Sequence, residues 1–498
     1  MEQYSQVDTS PSMSEYFEQF RENIIGQKAT FRTPFGEQPL IYADWIASGR
    51  LYGPIEDKIR HQFGPMVGNT HSEASETGRT MTLAYHHAHQ LIKKHVNADE
   101  NDVIITTGFG MTSALAKFQR ILGMKVPERL SRYCQIPDKE RPVVFLTHME
   151  HHSNQTPWLE SLCDVEVIEP DEDLNINPEK LRQQLAKYHD RHLKIGSFSA
   201  CSNVTGIITP FHQLAEIMHE YGGYCFVDFA ASAPYVSIDM HPKKPQQKLD
   251  AIFFSPHKFL GGPGSSGVLI FSKELYKNRI PDHPGGGTVL WTNPWGEHSY
   301  VDDIEIREDG GTPGFLQAIR TALCVGLKEQ MGVDKILRRE KELIERAFAG
   351  LRSIDGLSIL ADDERSRIGV FSFYIKGVHH NLIVKLLNDR FGIQVRGGCS
   401  CAGTYGHFLL NVDFDTSHRI TEKINRGDLS EKPGWVRMSV HPTMTNNELD
   451  IIIDAIRQVA QHADTWITDY EYVVEMNEFF HKSEKGGVGE EIGSWFKI

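Results

Sequence analysis

Between residues 102 and 271, short apolar runs alternate with amphipathic stretches of helical period. The runs cover 102–107, 142–147, 164–168, 194–200, 224–228, 251–255 and 267–271. Most are apolar along their whole length rather than at every second position. That pattern predicts strands buried on both faces, as in a parallel sheet covered by helices. Helical spacing at 178–188 and 211–221 falls between them. The alternation predicts an α/β architecture built on a mostly parallel, seven-stranded sheet.

The pattern changes on either side. Residues 1–30 are polar, with one short amphipathic helix expected at 13–25, and 272–312 are rich in Gly and Pro and read as irregular. A long helical stretch is expected at about 313–354. Beyond it, short strands at 369–375, 394–396 and 435–440 are interleaved with helices at 380–391 and 445–468. This second mixture predicts a smaller α+β domain. Residues 404–433 read as a long polar loop, and 476–498 carry weak structural signals. The organisation expected is an N-terminal extension (1–40), a large domain (41–315), a small C-terminal domain (316–475) and a tail (476–498).

Composition narrows the function. A chain of 498 residues exceeds one ordinary core. Its net charge of −14, without a long Lys/Arg cluster, argues against a nucleic-acid partner. No apolar stretch approaches the roughly 18 residues of a membrane span, and Met1-Glu-Gln-Tyr-Ser-Gln-Val-Asp8 resembles no signal peptide. Seven cysteines spread over the chain are not a disulfide framework, so a reduced, cytoplasmic setting is expected.

Two apolar runs end on reactive residues: one on Asp228, the other on Ser255-Pro-His-Lys258. Taken alone, Lys258 also reads as a surface lysine and Asp228 as half of a salt bridge. A lysine and a carboxylate on neighbouring strand ends suit one aromatic cofactor, pyridoxal 5'-phosphate (PLP). The lysine would form a Schiff base with its aldehyde, and the aspartate would keep its pyridine nitrogen protonated. Thr106-Thr-Gly-Phe-Gly-Met-Thr112, after a strand and before a helix, offers backbone N–H groups to a phosphate. The glycine run 261–267 precedes a strand instead of opening a helix, so it is not read as a dinucleotide site. His148-Met-Glu-His-His152 lacks the H-E-x-x-H pattern and a matching ligand pair, so no metal is expected; a histidine ring stacked on a flat cofactor suits it better. Arg396-Gly-Gly-Cys-Ser-Cys-Ala-Gly403 puts two thiols in a glycine-rich loop. Buried inert thiols are one reading and a zinc half-site another, although no second cysteine pair completes four ligands. An exposed thiolate near an arginine and a cationic cofactor would be reactive, and Arg396 could clamp a carboxylate.

With these motifs in view, the chain resembles the class V aminotransferase-like group of fold-type-I PLP enzymes, in its cysteine desulfurase and selenocysteine lyase branch. The resemblance runs from about 42 to about 463. It rests on Asn69-Thr-His-Ser72, Glu150-His-His-Ser-Asn154, Ser202-Asn-Val-Thr-Gly206, Val227-Asp-Phe-Ala230, Ser255-Pro-His-Lys258, Gly311-Thr-Pro313, Arg396 through Ala402, and Val436-Arg-Met-Ser439. It implies that Lys258 is the Schiff-base lysine and proton shuttle, that Asp228 holds the pyridine nitrogen, and that His151 stacks on the ring. Ser255, His257 and backbone groups near Gly110 and Met111 become phosphate ligands. Thr312 becomes a phosphate contact donated by a second subunit, hence a homodimer. Asn203 and Arg396 become the groups holding the substrate carboxylate, and Cys401 the thiol that takes up sulfur; Cys399 has no implied role.

The implied activity is removal of sulfur from L-cysteine, giving alanine and a Cys401 persulfide for a sulfur-acceptor protein. Ala231 stands where the family usually has a glutamine bonded to the cofactor's phenolic oxygen, and Gly-Gly-Cys-Ser-Cys replaces Gly-His-His-Cys. A PLP-dependent aminotransferase, C–S lyase or epimerase acting on another amino acid, and a non-catalytic PLP-binding protein, are the alternatives.

Overall fold

The structure is a computed structural model, and it describes residues 12–70, 74–364, 366–483 and 488–498. The expected seven strands are present: β1 (Asp102–Thr107), β2 (Val143–Thr147), β3 (Asp164–Ile168), β4 (Lys194–Ser199), β5 (Tyr224–Asp228), β6 (Ala251–Phe254) and β7 (Gly267–Ser272). They form one sheet in the order β1-β7-β6-β5-β4-β2-β3. Every neighbouring pair is parallel except those made by β7, which runs antiparallel to both β1 and β6.

The continuous apolar character of these strands has a direct cause. Val103, Val144, Phe226 and Phe253 belong to one buried cluster, while Ile104, Val143, Val227 and Ile252 belong to the other. Neighbouring side chains point to opposite faces, and helices cover both, so most positions are apolar. The parallel strands β2, β4, β5 and β6 deliver their carboxyl ends to one edge of the sheet. That edge, in open α/β sheets, is where ligands bind. Two helices start there: α1 (Met111–Ile121) after β1, and α2 (His152–Leu159) after β2.

A second sheet has the order β8-β9-β11-β10 and is antiparallel throughout: β8 (Leu357–Ile359), β9 (Val370–Ile375), β10 (Arg396–Gly398) and β11 (Trp435–Ser439). The helix at His380–Phe391 has the limits the sequence predicts, and Gly392, at φ 71°, supplies its left-handed C-cap. The chain near residue 42 joins this half as well: Ile41–Tyr42 pairs in parallel with Ile393–Gln394. At the N-terminus, helix Met13–Arg21 opens with a Ser12/Glu15 capping box and ends sooner than expected, with a bidentate Arg21–Glu448 pair at 2.6 and 2.7 Å.

Four expectations need correction. The stretch 313–354 is two helices, Phe315–Met331 and Val333–Arg352, broken at Gly332, whose φ of 78° no helical residue adopts. The supposed loop 404–433 is largely helical: α3 (Gly403–Leu409) and α4 (Phe414–Asn425, N-capped by Asp413). Its apolar stripe, Leu410, Ile420 and Ile424 against Trp435, is too thin to stand out from the polar background. Across the expected start of the tail, Tyr470–Val473 and Glu478–His481 form a hairpin, followed by a helix at Val488–Trp495. The Gly/Pro-rich stretch contains a hairpin too, Val289–Thr292 with His298–Tyr300. Among the described residues, no helix is long and apolar enough to cross a membrane. His71 and Ser72 of one motif, and residues 1–11 of the expected extension, lie outside the described residues.

Phe226 sits on β5 with no exposed surface, its ring 5.0 Å from Phe118 of α1 and 6.5 Å from Trp158 of α2. Phe226→Ala is expected to cost about 3–5 kcal/mol by leaving a cavity between both site-bearing helices, measured by urea denaturation.

Candidate active site

Lys258 and Asp228 reach one cavity of about 220 Å³ at the carboxyl edge of β5 and β6. Adjacent parallel pairing sets Asp228 opposite Phe253, and a short turn, Pro256–Lys258, carries the lysine back over the strand ends. Close backbone contact fixes this turn: the Gly49 N–H donates to His257 O at 2.9 Å, and a Cβ on Gly49 would lie 1.9 Å from Phe259 O.

Both charges are buried, and burial moves each toward neutrality. Desolvation raises the Asp228 carboxyl to about 7, partly offset by an Ala230 N–H bond at 2.8 Å and by Lys258. Desolvation likewise lowers the Lys258 ammonium to about 8, against the pull of Asp228 and with a further push from Arg437. A lysine poised near neutrality suits a group that must gain and lose a proton.

His151 caps α2, and its Nδ1 accepts the Ser153 N–H at 3.0 Å. Burial, then the nearby Lys258, lowers it to about 3, so its ring is neutral. Glu150 fixes this turn from beneath. Its buried carboxyl accepts from Thr147 N–H and Oγ1 (3.2 and 2.7 Å), Ser199 N–H and Oγ (3.0 and 2.6 Å) and Asn154 Nδ2 (2.7 Å). Opposite, the N-terminus of α1 abuts Ser255: the Met111 N–H donates to Ser255 Oγ at 2.9 Å. A Cβ on Gly110 would come within 2.9 Å of that oxygen and 3.5 Å of the His257 ring, so a glycine keeps this concavity open. Burial lowers His257 to about 4.

The small sheet supplies the remaining wall. Register places Arg396 of β10 directly across from Arg437 of β11. Two like charges in that position repel. Asp44 relieves the repulsion, accepting from Arg437 at 2.9 Å and from Arg396 Nε at 3.2 Å. Arg437 is buried while Arg396 is half-exposed. Arg437 Nε and Asn203 Oδ1 have no hydrogen-bond partner among the described residues, and both residues line the cavity.

After β10 the chain reverses in a four-residue turn closed by the Ala402 N–H to Cys399 O at 3.1 Å. Its central residues, Ser400 and Cys401, have φ of 52° and 56°. This left-handed conformation costs about 1–2 kcal/mol per L-residue. Three bonds hold it: Asn203 Nδ2 to Ser400 O (2.7 Å), Trp435 Nε1 to Ser400 Oγ (3.2 Å) and the His152 N–H to Cys401 O (2.8 Å). Cys401 is exposed and lines the cavity.

Lys258, Asp228, His151, Ser255, His257, Met111, Asn203, Arg396 and Cys401 therefore surround one space, and Gly110 borders it. Ala231 also lines it and offers only a methyl group. Thr312 stands apart: it is exposed, and its Oγ1 donates to Asn69 Oδ1 at 3.2 Å. A larger hollow of about 710 Å³ lies elsewhere, by Cys134, Arg141 and Asp164, where Arg141 and Asp164 pair with each other. Sequence reasoning assigned no role to Asp44 and Arg437. Each sits in an apolar run, Ile41-Tyr-Ala-Asp-Trp-Ile46 and Trp435-Val-Arg-Met-Ser439, where a charge needs a partner.

The residues fit a phosphate-bearing aromatic aldehyde. A helix N-terminus with Ser255 and His257 faces one end, a buried carboxyl with one protein hydrogen bond among the described residues waits at the other, and a lysine lies between. The family model for aminotransferase class-V matches residues 41–452. The chain is 27% identical over 372 residues to a "Probable cysteine desulfurase" of Halalkalibacterium halodurans, covering 73% of this chain and 84% of that protein. It is 26% identical over 433 residues to a protein of the same description from Halobacterium salinarum, covering 86% and 93%. Two solved structures share the fold: the apo cysteine desulfurase of Thermococcus onnurineus (TM-score 0.70, 21% identity, 89% of this chain and 98% of that one) and the cysteine desulfurase CsdA of Escherichia coli (0.68, 21%, 90% and 98%).

Two outcomes follow from the charges. Asp228 titrates near 3.8 when unfolded and about 7 when folded, so the folded cofactor-free protein binds the extra proton and loses stability as pH rises through that window. Asp228→Asn is expected to stabilise the cofactor-free protein at pH 7 but not at pH 4, read by urea denaturation at both. Asp44→Ala strands the paired arginines and is expected to cost about 3–5 kcal/mol in the same measurement.

Proposed function

The chain belongs to the aminotransferase class-V family, and from that premise we propose that it is a PLP-dependent cysteine desulfurase-like enzyme, converting L-cysteine to alanine and a Cys401 persulfide. The observation that carries this reading is the exposed thiol of Cys401 lining the same cavity as Lys258 and Asp228. The names of the relatives support it.

Lys258 and Asp228 would hold PLP, which would supply an electron sink for charge at the substrate α-carbon. Ser255, His257 and the first N–H groups of α1 hold its phosphate. The neutral ring of His151 would lie against the cofactor without adding charge. The guanidinium groups of Arg437 and Arg396 hold the substrate carboxylate, joined by the Asn203 Nδ2 hydrogen not given to Ser400 O, with Asp44 keeping the arginines side by side. Lys258 Nζ takes the α-proton and later returns one to the alanine carbon. Cys401 Sγ attacks the substrate sulfur; the substrate Cβ–S bond breaks and a Cys401 S–S bond forms.

Thr312 lies outside its own chain's cavity, which supports a phosphate contact made toward a second copy in a homodimer. All seven cysteines are free, which suits a reducing, cytoplasmic setting. The methyl of Ala231 leaves the cofactor's phenolic oxygen without a side-chain amide, and this favours keeping one second reading, a C–S lyase, aminotransferase or epimerase on the same scaffold.

Purified protein given L-cysteine and a reductant is expected to yield alanine and sulfide without keto acid. Lys258→Ala is expected to abolish both products and the visible cofactor band. Cys401→Ala is expected to reduce alanine release at least tenfold, an effect of about 1.4 kcal/mol or more on the barrier. Wild-type rates in Cys401→Ala would refute the thiol's role. Keto acid or inverted substrate would select the second reading.

A further inference from the structure

The turn that presents Cys401 also carries Cys399, and the two thiols face different spaces. Cys401 lines the cavity of Lys258, and Cys399 lines a second, largely apolar cavity of about 210 Å³. The second cavity lies between α3, α4 and β11, walled by Leu410, Ile420, Ile424 and Trp435. Ser400, between the cysteines, is the fixed point: its carbonyl and its hydroxyl are both held, by Asn203 and Trp435. Cys399 is half-buried and reduced.

Chain geometry keeps the two thiols close. Residues two apart are separated by no more than about 7 Å at Cα even when extended. The Ala402 N–H bond to Cys399 O folds this segment into a turn, which shortens the span. That meets the Cα condition for a sulfur–sulfur bond, about 4.4–6.8 Å; because the two thiols face different spaces, the transfer also requires one side chain to rotate toward the other. A glycine at 400 or 401 would form the same turn without left-handed strain. The chain instead holds a serine and a cysteine there by dedicated bonds, and strain retained in this way points to use.

We propose that Cys399 is a second sulfur carrier, taking the terminal sulfur of the Cys401 persulfide and turning it into the apolar cavity between α3 and α4. This rests on the desulfurase reading and extends it. The Cys399 thiolate attacks the outer sulfur. The Cys401 S–S bond breaks, a Cys399 S–S bond forms, and the Cys401 sulfur leaves with the bonding pair as a thiolate. The proton that Cys399 gave up restores the Cys401 thiol. The exchange is a transfer between thiols and needs no oxidant or reductant. It frees Cys401 for the next substrate and shields the stored sulfur from small thiols in solution.

The test uses the PLP-loaded full chain, given L-cysteine in a single turnover, then alkylated and digested. Fragment ions falling between the two cysteines locate the extra sulfur, and alanine is counted in the same quench. The expected result is alanine with the persulfide on both Cys399 and Cys401 in the wild type, and on Cys401 alone in Cys399→Ser. Cys399→Ser is also expected to lose its persulfide to added dithiothreitol several-fold faster. Cys401→Ser should carry none on Cys399. Alanine with persulfide confined to Cys401 in the wild type overturns the relay and leaves the desulfurase reading intact. Hydrosulfide released with a Cys399–Cys401 disulfide also overturns it, because the inner sulfur would then be the one attacked. No alanine from the wild type overturns the desulfurase reading, and the relay with it. A measurement without turnover checks reach alone: diamide is expected to join Cys399 and Cys401 in one disulfide-containing peptide. Two thiols that remain separately alkylatable would overturn the proposal.

Discussion

The structure turns on one unfavourable act, the burial of Asp228 and Lys258 at the same sheet edge. Neither charge reaches water freely, and desolvation pushes both toward the neutral form. Each is tolerable because the other stands nearby. Around them the fold spends its precise contacts: Gly49 against the lysine turn, Glu150 beneath His151, and Ser255 against the first N–H of α1. These contacts fix backbone and do not fill the cavity, which leaves room for a ring and a small amino acid.

A second constraint links the two sheets. The segment after Tyr42 pairs with Gln394, contributes Asp44 to the arginines and then packs Ser48 and Gly49 on the lysine turn. The His152 N–H and Cys401 O form another bridge, with Gln155 and Thr404 bonded alongside. The turn that carries Cys401 is thereby referenced from two directions to the sheet edge that carries Lys258 and Asp228. A displaced small sheet would move Arg396, Arg437 and Cys401 together.

The sheet and most of its reactive residues were readable from local pattern. Seven largely apolar runs became seven strands because double-sided burial leaves few polar positions to obscure them. Lys258 and Asp228 were visible because each ends such a run. The failures have equally local causes. Residues 404–433 form helices with a narrow apolar stripe, so polarity masked their period. The helix break at Gly332 depends on one positive φ, which an otherwise continuous helical pattern hides. Asp44 and Arg437 were passed over because nothing nearby in the chain pairs with them.

The sequence alone therefore determined the α/β architecture, the lysine and aspartate at the strand ends, and the family, because those features are written in short segments. Tertiary structure decided which charges meet. Asp44 and Arg437 lie 393 residues apart in the chain and 2.9 Å apart in space. It also decided that Cys399 and Cys401, two positions apart, face separate cavities. Periodicity specifies which side of an element is buried, but only the packing of distant elements decides what each buried or reactive group faces.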